Sequence, residues 1–167
     1  MSTQDIFYHP TGTNTILPMF IASGVVTELT PILLFLKNEK IETVLIEEPE
    51  ISLHPQLQVE MARVLIRLVN SKIPVFVTTH SDIILQHINN MIKLASSKNR
   101  EVIRKKLGYE KCDWINQEKV NVYQFNVDDN QKTIVTKLPC GEFGFEAMTF
   151  YNTLENLNEQ IKIIEED

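Results

Sequence analysis

The spacing of apolar residues changes several times within the first hundred positions, and each change predicts a switch between helix and strand. Val25–Leu36 has helical spacing, and Pro31 inside it predicts a kink or a restart with Thr30 as the cap. Thr43–Ile46 and Ile73–Thr78 are short, continuous apolar runs, which are typical of strands buried on both faces.

Two amphipathic helices follow these strands. Pro55 suits the first position of one helix, and Ser81 can cap the other. The first helix is expected to bury Leu57, Met61, Leu65 and Leu68, and to turn outward Gln58, Glu60, Arg63 and Arg67. The second is expected to carry one apolar stripe of Ile84, Ile88, Met91 and Ala95. Helices and strands in this alternation predict a parallel α/β sheet.

The character of the chain changes after Ala95. Val120–Val127 and Thr133–Leu138 resemble a β-hairpin, and Phe145–Ile164 resembles a long terminal helix followed by an acidic tail. We expect the hairpin to continue the sheet and the helix to close it. The predicted single domain therefore has a core at 21–95, a basic insertion at 98–119, and the hairpin and terminal helix at 120–167.

Composition narrows the class of protein without naming a function. The 167 residues have a formal net charge of −6, with 43% hydrophobic and 23% charged positions, as in one globular domain. The apolar run Ile32–Leu36 is far shorter than the roughly 18 residues of a membrane helix, and Met1–Asp5 does not begin a secretory signal. Cys112 and Cys140 match no metal spacing, so we expect no disulfide framework and a cytoplasmic location. The acidic balance argues against nucleic-acid binding over the whole surface, although not against a local basic patch.

Two adjacent carboxylates end the first predicted strand. Ligands of open parallel sheets bind beyond the carboxyl ends of the strands, where Glu47 and Glu48 lie. Because alternate strand residues face opposite ways, the two acids must have different roles. One can hold a hydrated Mg²⁺, and the other can orient an attacking water or accept its proton. The alternative is a solvated pair of acids at a strand-to-loop junction.

A histidine ends the second predicted strand, just before a helix. His80 can donate a hydrogen bond to a phosphate oxygen at that helix terminus, or it can be a structural residue bonded to a neighbouring loop. A further alternative is a zinc site in which His54 and His80 join Glu47 or Glu48. No H-E-x-x-H motif or cysteine pair supports that site.

Taken together, the two strand ends resemble the distal half of ABC-type ATPases. The sequence reads Glu-Glu-Pro-Glu and Ser-Leu-His-Pro after the first strand and Thr-Thr-His-Ser after the second. It is most similar to the branch with the OLD nucleases, RecF and the structural-maintenance-of-chromosomes (SMC) ATPases. The resemblance implies a Walker B strand in which Glu47, usually Asp in the wider family, is the magnesium-associated acid and Glu48 activates the hydrolytic water. It also implies a D-loop at Ser52–His54, which touches a partner subunit, and a switch histidine at His80, which senses the γ-phosphate.

The resemblance also covers a signature motif upstream. Ser23 and Gly24 stand before a predicted helix, and a hydroxyl, a glycine amide and a helix amino terminus together form an anion site. In this family such a site would grip the γ-phosphate bound on the opposite subunit. Two residues depart from the pattern: Val25 replaces a second glycine of the wider family, and Pro31 lies within the signature helix.

The Walker A loop, G-x-x-x-x-G-K-[ST], does not occur in this sequence, because none of its five glycines is followed by lysine. The resemblance therefore implies a P-loop NTPase-type half-domain that completes an ATP and Mg²⁺ site together with a Walker A-bearing half or a second ATPase subunit. The chain is then either the carboxy-terminal piece of a longer ATPase or a stand-alone relic. No second acidic cluster of the Toprim nuclease kind follows His80.

Two other classes of function stay open. One is a non-catalytic interaction or regulatory module derived from such an ATPase, and the other is a mononuclear metal hydrolase using Glu47, His54 and His80. The basic stretch 98–119 is a solvated insertion or a contact to the DNA backbone. We expect its aromatic residues Tyr109 and Trp114 to pack against the domain and not to stack on bases.

Overall fold

The computed structural model describes residues 6–37 and 40–165. The chain forms a mixed α/β structure with a small parallel sheet. In chain order its elements are β1 (Phe7–Tyr8), β2 (Leu17–Pro18), a 3-10 turn (Met19–Ile21), α1 (Gly24–Leu36), β3 (Val44–Glu47), α2 (Pro55–Asn70), β4 (Val75–Thr78), α3 (Asp82–Ser96), α4 (Arg100–Leu107), a second 3-10 turn (Gln117–Lys119), β5 (Val122–Val127), β6 (Thr133–Leu138), β7 (Cys140–Gly141), β8 (Gly144–Phe145) and α5 (Met148–Glu165).

The helix–strand alternation predicted for the core is confirmed. Strands β3 and β4 pair in parallel, joined by α2, and α3 leads away from β4. Helix α1 runs unbroken through Pro31, so the predicted restart at Thr30 is wrong. The Thr30 hydroxyl instead donates to the Val26 carbonyl at 2.6 Å, which keeps that residue within the helix. Ser81 caps α3 as predicted, because its side chain accepts from the Ile84 amide.

The parallel sheet has one packed face and one bare face. Ile46, Val75 and Val77 pack on a cluster contributed by α2, α3 and the segment before α2. That cluster consists of Leu53, Met61, Ala62, Leu65 and Ile84. On the other face, Leu45 is 72% exposed and Phe76 is 63% exposed. The prediction of strands buried on both faces is therefore wrong for the described residues, in which helices cover one side of the two-stranded sheet and leave the other exposed.

A second core joins α2 and α3 to the segment after α4. Ile66, Met91, Ile92, Leu94, Ile115 and Phe145 form this cluster. Trp114 and Tyr109 pack against it, as predicted for these aromatic residues. The stretch 98–119 is thus partly core, and it is not a solvated insertion along its whole length.

A buried carboxylate links this segment to α2. Asp113 has no exposed surface, and it accepts hydrogen bonds from Arg63 at 2.8 Å and from Arg67 at 2.6 Å. The Glu110 amide supplies a third donor at 2.8 Å. Arg63 and Arg67 were predicted on the outer face of their helix. The prediction is wrong for Arg63, whose side chain is only 17% exposed beside Asp113, whereas the Arg67 side chain remains 42% exposed while it pairs with the same carboxylate.

The carboxy-terminal elements attach through α3. The Asn89 side chain donates to the Phe145 carbonyl and accepts from the Phe145 amide, each at 2.9 Å, which holds β8 against the helix. Gly144 has a φ of 101°, and a Cβ there would lie 2.3 Å from Asn89, so only glycine fits.

The predicted hairpin is confirmed as β5 and β6, and the terminal helix as α5. The last two residues of the predicted acidic tail, 166 and 167, lie outside the described residues. The hairpin does not continue the parallel sheet, because in the described chain each of these two strands pairs only with the other. Its exposed apolar side chains include Phe125 and Val127.

Cys112, which is exposed, and Cys140, which is partly buried, are both free thiols. Within residues 6–37 and 40–165, the helices are too short or too polar to cross a membrane.

Candidate functional site

The predicted site residues of the two strand ends lie at one edge of the parallel sheet. Glu47 is in register with Thr78, so β3 and β4 end at the same level. Glu48 leaves the strand with a φ of 44°, a left-handed conformation that is uncommon for a residue other than glycine. Its amide donates to the Thr78 carbonyl at 2.9 Å and lies 3.3 Å from the Thr78 hydroxyl. The turn that follows Glu48 is thus fixed on β4.

This edge brings Glu48 and His80 together. The distance from His80 Nε2 to Glu48 Oε1 is 3.5 Å, an ion pair when the imidazole is protonated. The His80 side chain is 85% exposed and that of Glu48 is 41% exposed. Little packing therefore holds either group, and both can reach a ligand placed beyond the strands. The alternative of a structural histidine hydrogen-bonded to a neighbouring loop stays open, because the His80 amide donates to Glu50 in the loop after β3.

Two further side chains hold the same edge together and were missed as site residues. Glu50 Oε1 accepts a hydrogen bond from the His80 amide, and Gln58 Oε1 accepts one from the Ser81 hydroxyl. Glu50 could have been identified from the sequence, because it is the third acid of the Glu-Glu-Pro-Glu run. Gln58 was predicted on the outer face of α2, and nothing in the local pattern marks its contact with α3.

The predicted D-loop lies against the predicted signature motif of the same chain. Ser52 has a φ of 62°, and a Cβ on Gly24 would lie 3.1 Å from Ser52 Oγ. A side chain at position 24 would therefore press on Ser52. His54 stands directly before α2 and is exposed, whereas Leu53 between them is buried and anchors the segment.

Ser23 stands at the amino terminus of α1 with its hydroxyl unused by the helix. It is the N-cap residue, but its side chain makes no capping hydrogen bond, and it is exposed. In the described part of the chain, no hydrogen bond or ion pair links Ser23 or Gly24 to Glu48 or His80. The described contacts thus place Gly24 beside Ser52 of the predicted D-loop and do not join the signature residues to Glu48 or His80.

A hydrated magnesium ion fits the donors at this edge better than a zinc ion does. Mg²⁺ is often held by one or two carboxylates and keeps several waters, which the exposed Glu47 carboxylate permits. Zinc needs three or four protein ligands close together. The described residues hold no group of three or more His, Cys, Asp and Glu side chains that could bind a metal. The metal hydrolase using Glu47, His54 and His80 thus lacks its ligand set there.

Two grooves of the described chain lie away from the strand edge. Each has a volume of about 390 Å³, and one lies beside α3 and Phe145 and the other beside Asn70 and Trp114. Neither groove is lined by a predicted site residue.

Two arginines of the basic stretch 98–119 make contacts within the domain. Arg100 donates to the Ala95 carbonyl at 2.8 Å and lies over the Trp114 ring, and Arg104 donates to the Tyr109 carbonyl. Lys105 and Lys106 are exposed. A contact of this stretch with DNA therefore stays a prediction that would depend mainly on its lysines.

Comparison with known proteins supports an ATPase domain for the core. Residues 31–85 match the family described as AAA ATPase domain. The match covers about a third of the chain, and it includes Glu47, Glu48, Ser52, His54 and His80 but not Ser23 or Gly24. The core segment is thus similar to nucleotide-binding ATPase domains, in agreement with the ATPase resemblance of its strand ends.

Other comparisons add little. One solved structure is similar over 97% of this chain and 71% of its own, with a TM-score of 0.49 and 14% sequence identity. It comes from work described as "Structural biochemistry of ATP-driven dimerization and DNA stimulated activation of SMC ATPases". At that TM-score the likeness carries no argument. The search of curated proteins found no significant match.

Proposed function

We propose that this chain supplies the Walker B, D-loop, switch and signature residues of a composite ATP site, and that a Walker A-bearing partner segment supplies the rest. The observation that carries the proposal is the strand edge itself. Glu48 and His80 lie 3.5 Å apart at the carboxyl ends of two parallel strands, Glu47 is the last residue of one of these strands, and all three belong to a segment similar to ATPase domains. The carboxyl ends of the strands are the position at which open α/β sheets bind their ligands.

The bare face of the sheet supports the same proposal. Parallel sheets occur almost only with both faces covered, because their crossover segments lie on both sides. Here Leu45 and Phe76 are more than 60% exposed on a face without a helix over it in the described chain. A partner segment that adds a strand and a helix would cover these residues and place a phosphate-binding loop at the same edge.

In this proposal each residue of the edge has one role. Bound Mg²⁺ would neutralise phosphate charge, and the Glu47 carboxylate would hold it through water. Glu48 would orient the attacking water and accept its proton, and His80 would donate to the γ-phosphate. Ser52 and His54 would face the partner.

The signature residues would act on a second nucleotide. Ser23 offers a free hydroxyl, and Gly24 offers an amide at the first turn of a helix of 13 residues. In this proposal they would contact the ATP bound on an opposing subunit, while Glu48 and His80 act on the ATP of the composite site. A hydroxyl, an amide and a helix amino terminus together favour an anion such as a terminal phosphate.

The test is ATP hydrolysis by the 167-residue chain, alone and together with a polypeptide that contains G-x-x-x-x-G-K-[ST]. Such a polypeptide is sought upstream of this sequence or in an adjacent reading frame. We expect no turnover by the chain alone, because backbone amides, a lysine and a hydroxyl must cradle the phosphates. We expect turnover by the paired ATPase, meaning the chain and that polypeptide together.

Two outcomes would contradict the proposal. Mg²⁺-dependent hydrolysis by the pure chain, lost in Glu48→Gln, would mean that another segment, such as Thr11–Thr15, cradles phosphate. A pair that forms but never hydrolyses ATP would favour the alternative of a non-catalytic interaction module.

A further inference from the structure

We propose that Glu50 and Gln58 are positioning residues that fix the His80 loop to the segment after β3, so that His80 stays beside Glu48. The inference deepens the proposed ATPase function and rests on it. Neither side chain would touch nucleotide. Each instead joins the loop that follows β3 to the loop that follows β4, across the edge where the two strands end.

Glu50 holds the backbone of His80. Its Oε1 accepts from the His80 amide at 2.5 Å, across 30 residues of sequence. Hydrogen bonds to an ionised acceptor are roughly twice as strong as neutral ones. The other oxygen, Oε2, is buried and has no hydrogen-bond partner in the described chain, an arrangement that costs stability. Stability alone therefore does not account for a carboxylate at this position.

Gln58 holds the neighbouring residue from the opposite side. Its Nε2 donates to the Leu53 carbonyl at 3.0 Å, and its Oε1 accepts from the Ser81 hydroxyl at 2.5 Å. The Ser81 oxygen in turn accepts from the Ile84 amide, which starts α3. One amide group thus connects the end of the predicted D-loop to the first turn of α3.

These contacts matter because His80 has no packing of its own. With 85% of its side chain exposed and Glu48 3.5 Å from its ring nitrogen, the imidazole depends mainly on its backbone for position, and Glu50 holds the amide of that backbone. A misplacement of about 1 Å at a reacting group can lower a rate about 10²-fold. Because Glu50 belongs to the loop that contains Ser52, and Gln58 donates to the Leu53 carbonyl of that loop, a partner that moves this loop would also move His80.

The first test uses the 167-residue chain and measures hydrogen exchange of the His80 amide by NMR. We expect Glu50→Ala to raise its exchange rate at least about tenfold, since the amide loses a charged acceptor. Glu50→Gln retains an acceptor oxygen and should keep most of the protection. Glu42→Ala, which changes an exposed acid before β3, is the control. An unchanged exchange rate in Glu50→Ala would overturn the proposal that Glu50 holds the His80 loop.

The second test measures ATP turnover by the paired ATPase. Glu50→Ala should lower kcat about 10-fold to 100-fold with KM for ATP unchanged, and Glu50→Gln should restore most of the activity. Gln58→Ala should act in the same direction, with Gln56→Ala as its control. In a His80→Ala background, Glu50→Ala should cause no further loss, because it acts through His80.

The outcomes separate this inference from the proposed function. Full additivity of Glu50→Ala and His80→Ala, or a rise in KM alone, would overturn the positioning role while leaving the ATPase intact. A wild-type pair without turnover would overturn the proposed function. The exchange rates of the His80 amide would then decide by themselves whether Glu50 holds the His80 loop.

Discussion

The surroundings of Asp113 and the strand edge differ in how far their charged groups are exposed and hydrogen-bonded. At the strand edge, Glu48 and His80 meet at 3.5 Å with both side chains substantially exposed. In the Asp113 region, a carboxylate without exposed surface accepts three hydrogen bonds from Arg63, Arg67 and the Glu110 amide. The Asp113 carboxylate is hydrogen-bonded within the described chain, whereas Glu48 and His80 at the strand edge remain exposed to solvent.

Apolar surface shows the same contrast. The two clusters under α2 and α3 bury large side chains such as Ile66, Ile84 and Met91 almost completely. The opposite face of the parallel sheet leaves Leu45 and Phe76 bare. The closed region accounts for folding, whereas the open region has the residues of the candidate site. The described chain thus buries its apolar side chains around α2 and α3 and leaves one face of its parallel sheet exposed.

The largest expected effect is on chemistry at the open edge. In the paired ATPase, Glu48→Gln should lower kcat about 10²-fold to 10⁴-fold, because the group that orients water and accepts its proton is lost. ATP binding and pairing should persist. Turnover and nucleotide affinity are measured side by side with thermal unfolding, which should not change. Turnover near that of wild type would move attention to Glu47 or Glu50.

The second effect is on stability in the closed region. Asp113→Ala should lower the free energy of unfolding by about 3–5 kcal/mol, because it leaves Arg63 and Arg67 without their buried partner. Urea unfolding of the 167-residue chain measures it. Asp129→Ala, which removes an exposed acid from the hairpin turn, is the matched control and should cost little. If the two substitutions lowered the free energy of unfolding equally, buried Asp113 would contribute no more to stability than an exposed acid does.

Lowering the pH should reduce the free energy of unfolding in two steps, one from His87 and one from Asp113. Burial raises the pKa of Asp113, but hydrogen bonds from Arg67 and Arg63 outweigh it and hold the pKa at about 2 against an ordinary 3.8. A lowered carboxyl pKa gives stability that is complete above pH 3.8 and is lost as the pH falls toward 2, in total about 2 kcal/mol. Burial, helped by the charge of Arg63, lowers the pKa of His87 from 6.5, so an earlier loss begins below that pH.

The two steps can be separated by unfolding at a series of pH values. In Asp113→Asn the loss between pH 3.8 and 2 should shrink, while the loss below pH 6.5 should remain. His87→Gln should remove the earlier loss only. An Asp113→Asn protein with the same pH profile as wild type would mean that the arginine pairs do not set this carboxyl's pKa.

The smallest effect is expected at the bare sheet face. Phe76→Ser should change the stability of the isolated chain by no more than about 0.5 kcal/mol, because the side chain is 63% exposed. Ile84→Ala, at a position without exposed surface, should cost about 2–5 kcal/mol. In the paired ATPase, Phe76→Ser should weaken association. If it destabilises the isolated chain as much as Ile84→Ala does, the face is not bare.

Local patterns in the sequence determined the elements and the placement of the candidate site. The period of apolar residues, Pro55 at a helix start and the Ser81 cap depend on neighbours a few residues away, so they predicted α2, α3 and the two parallel strands. Because parallel strands end at one edge, the same patterns were enough to predict that Glu48 and His80 would lie close together.

Only the tertiary structure decided which polar residues turn inward and which apolar residues stay outside. Arg63 and Arg67 point to Asp113, 50 and 46 residues away, and Glu50 reaches the His80 amide across 30 residues. A helical period assigns such side chains to solvent, because it contains no information about a partner that is distant in sequence. Leu45 and Phe76 show the converse: their runs predict burial, but whether a strand is covered depends on how many layers surround the sheet.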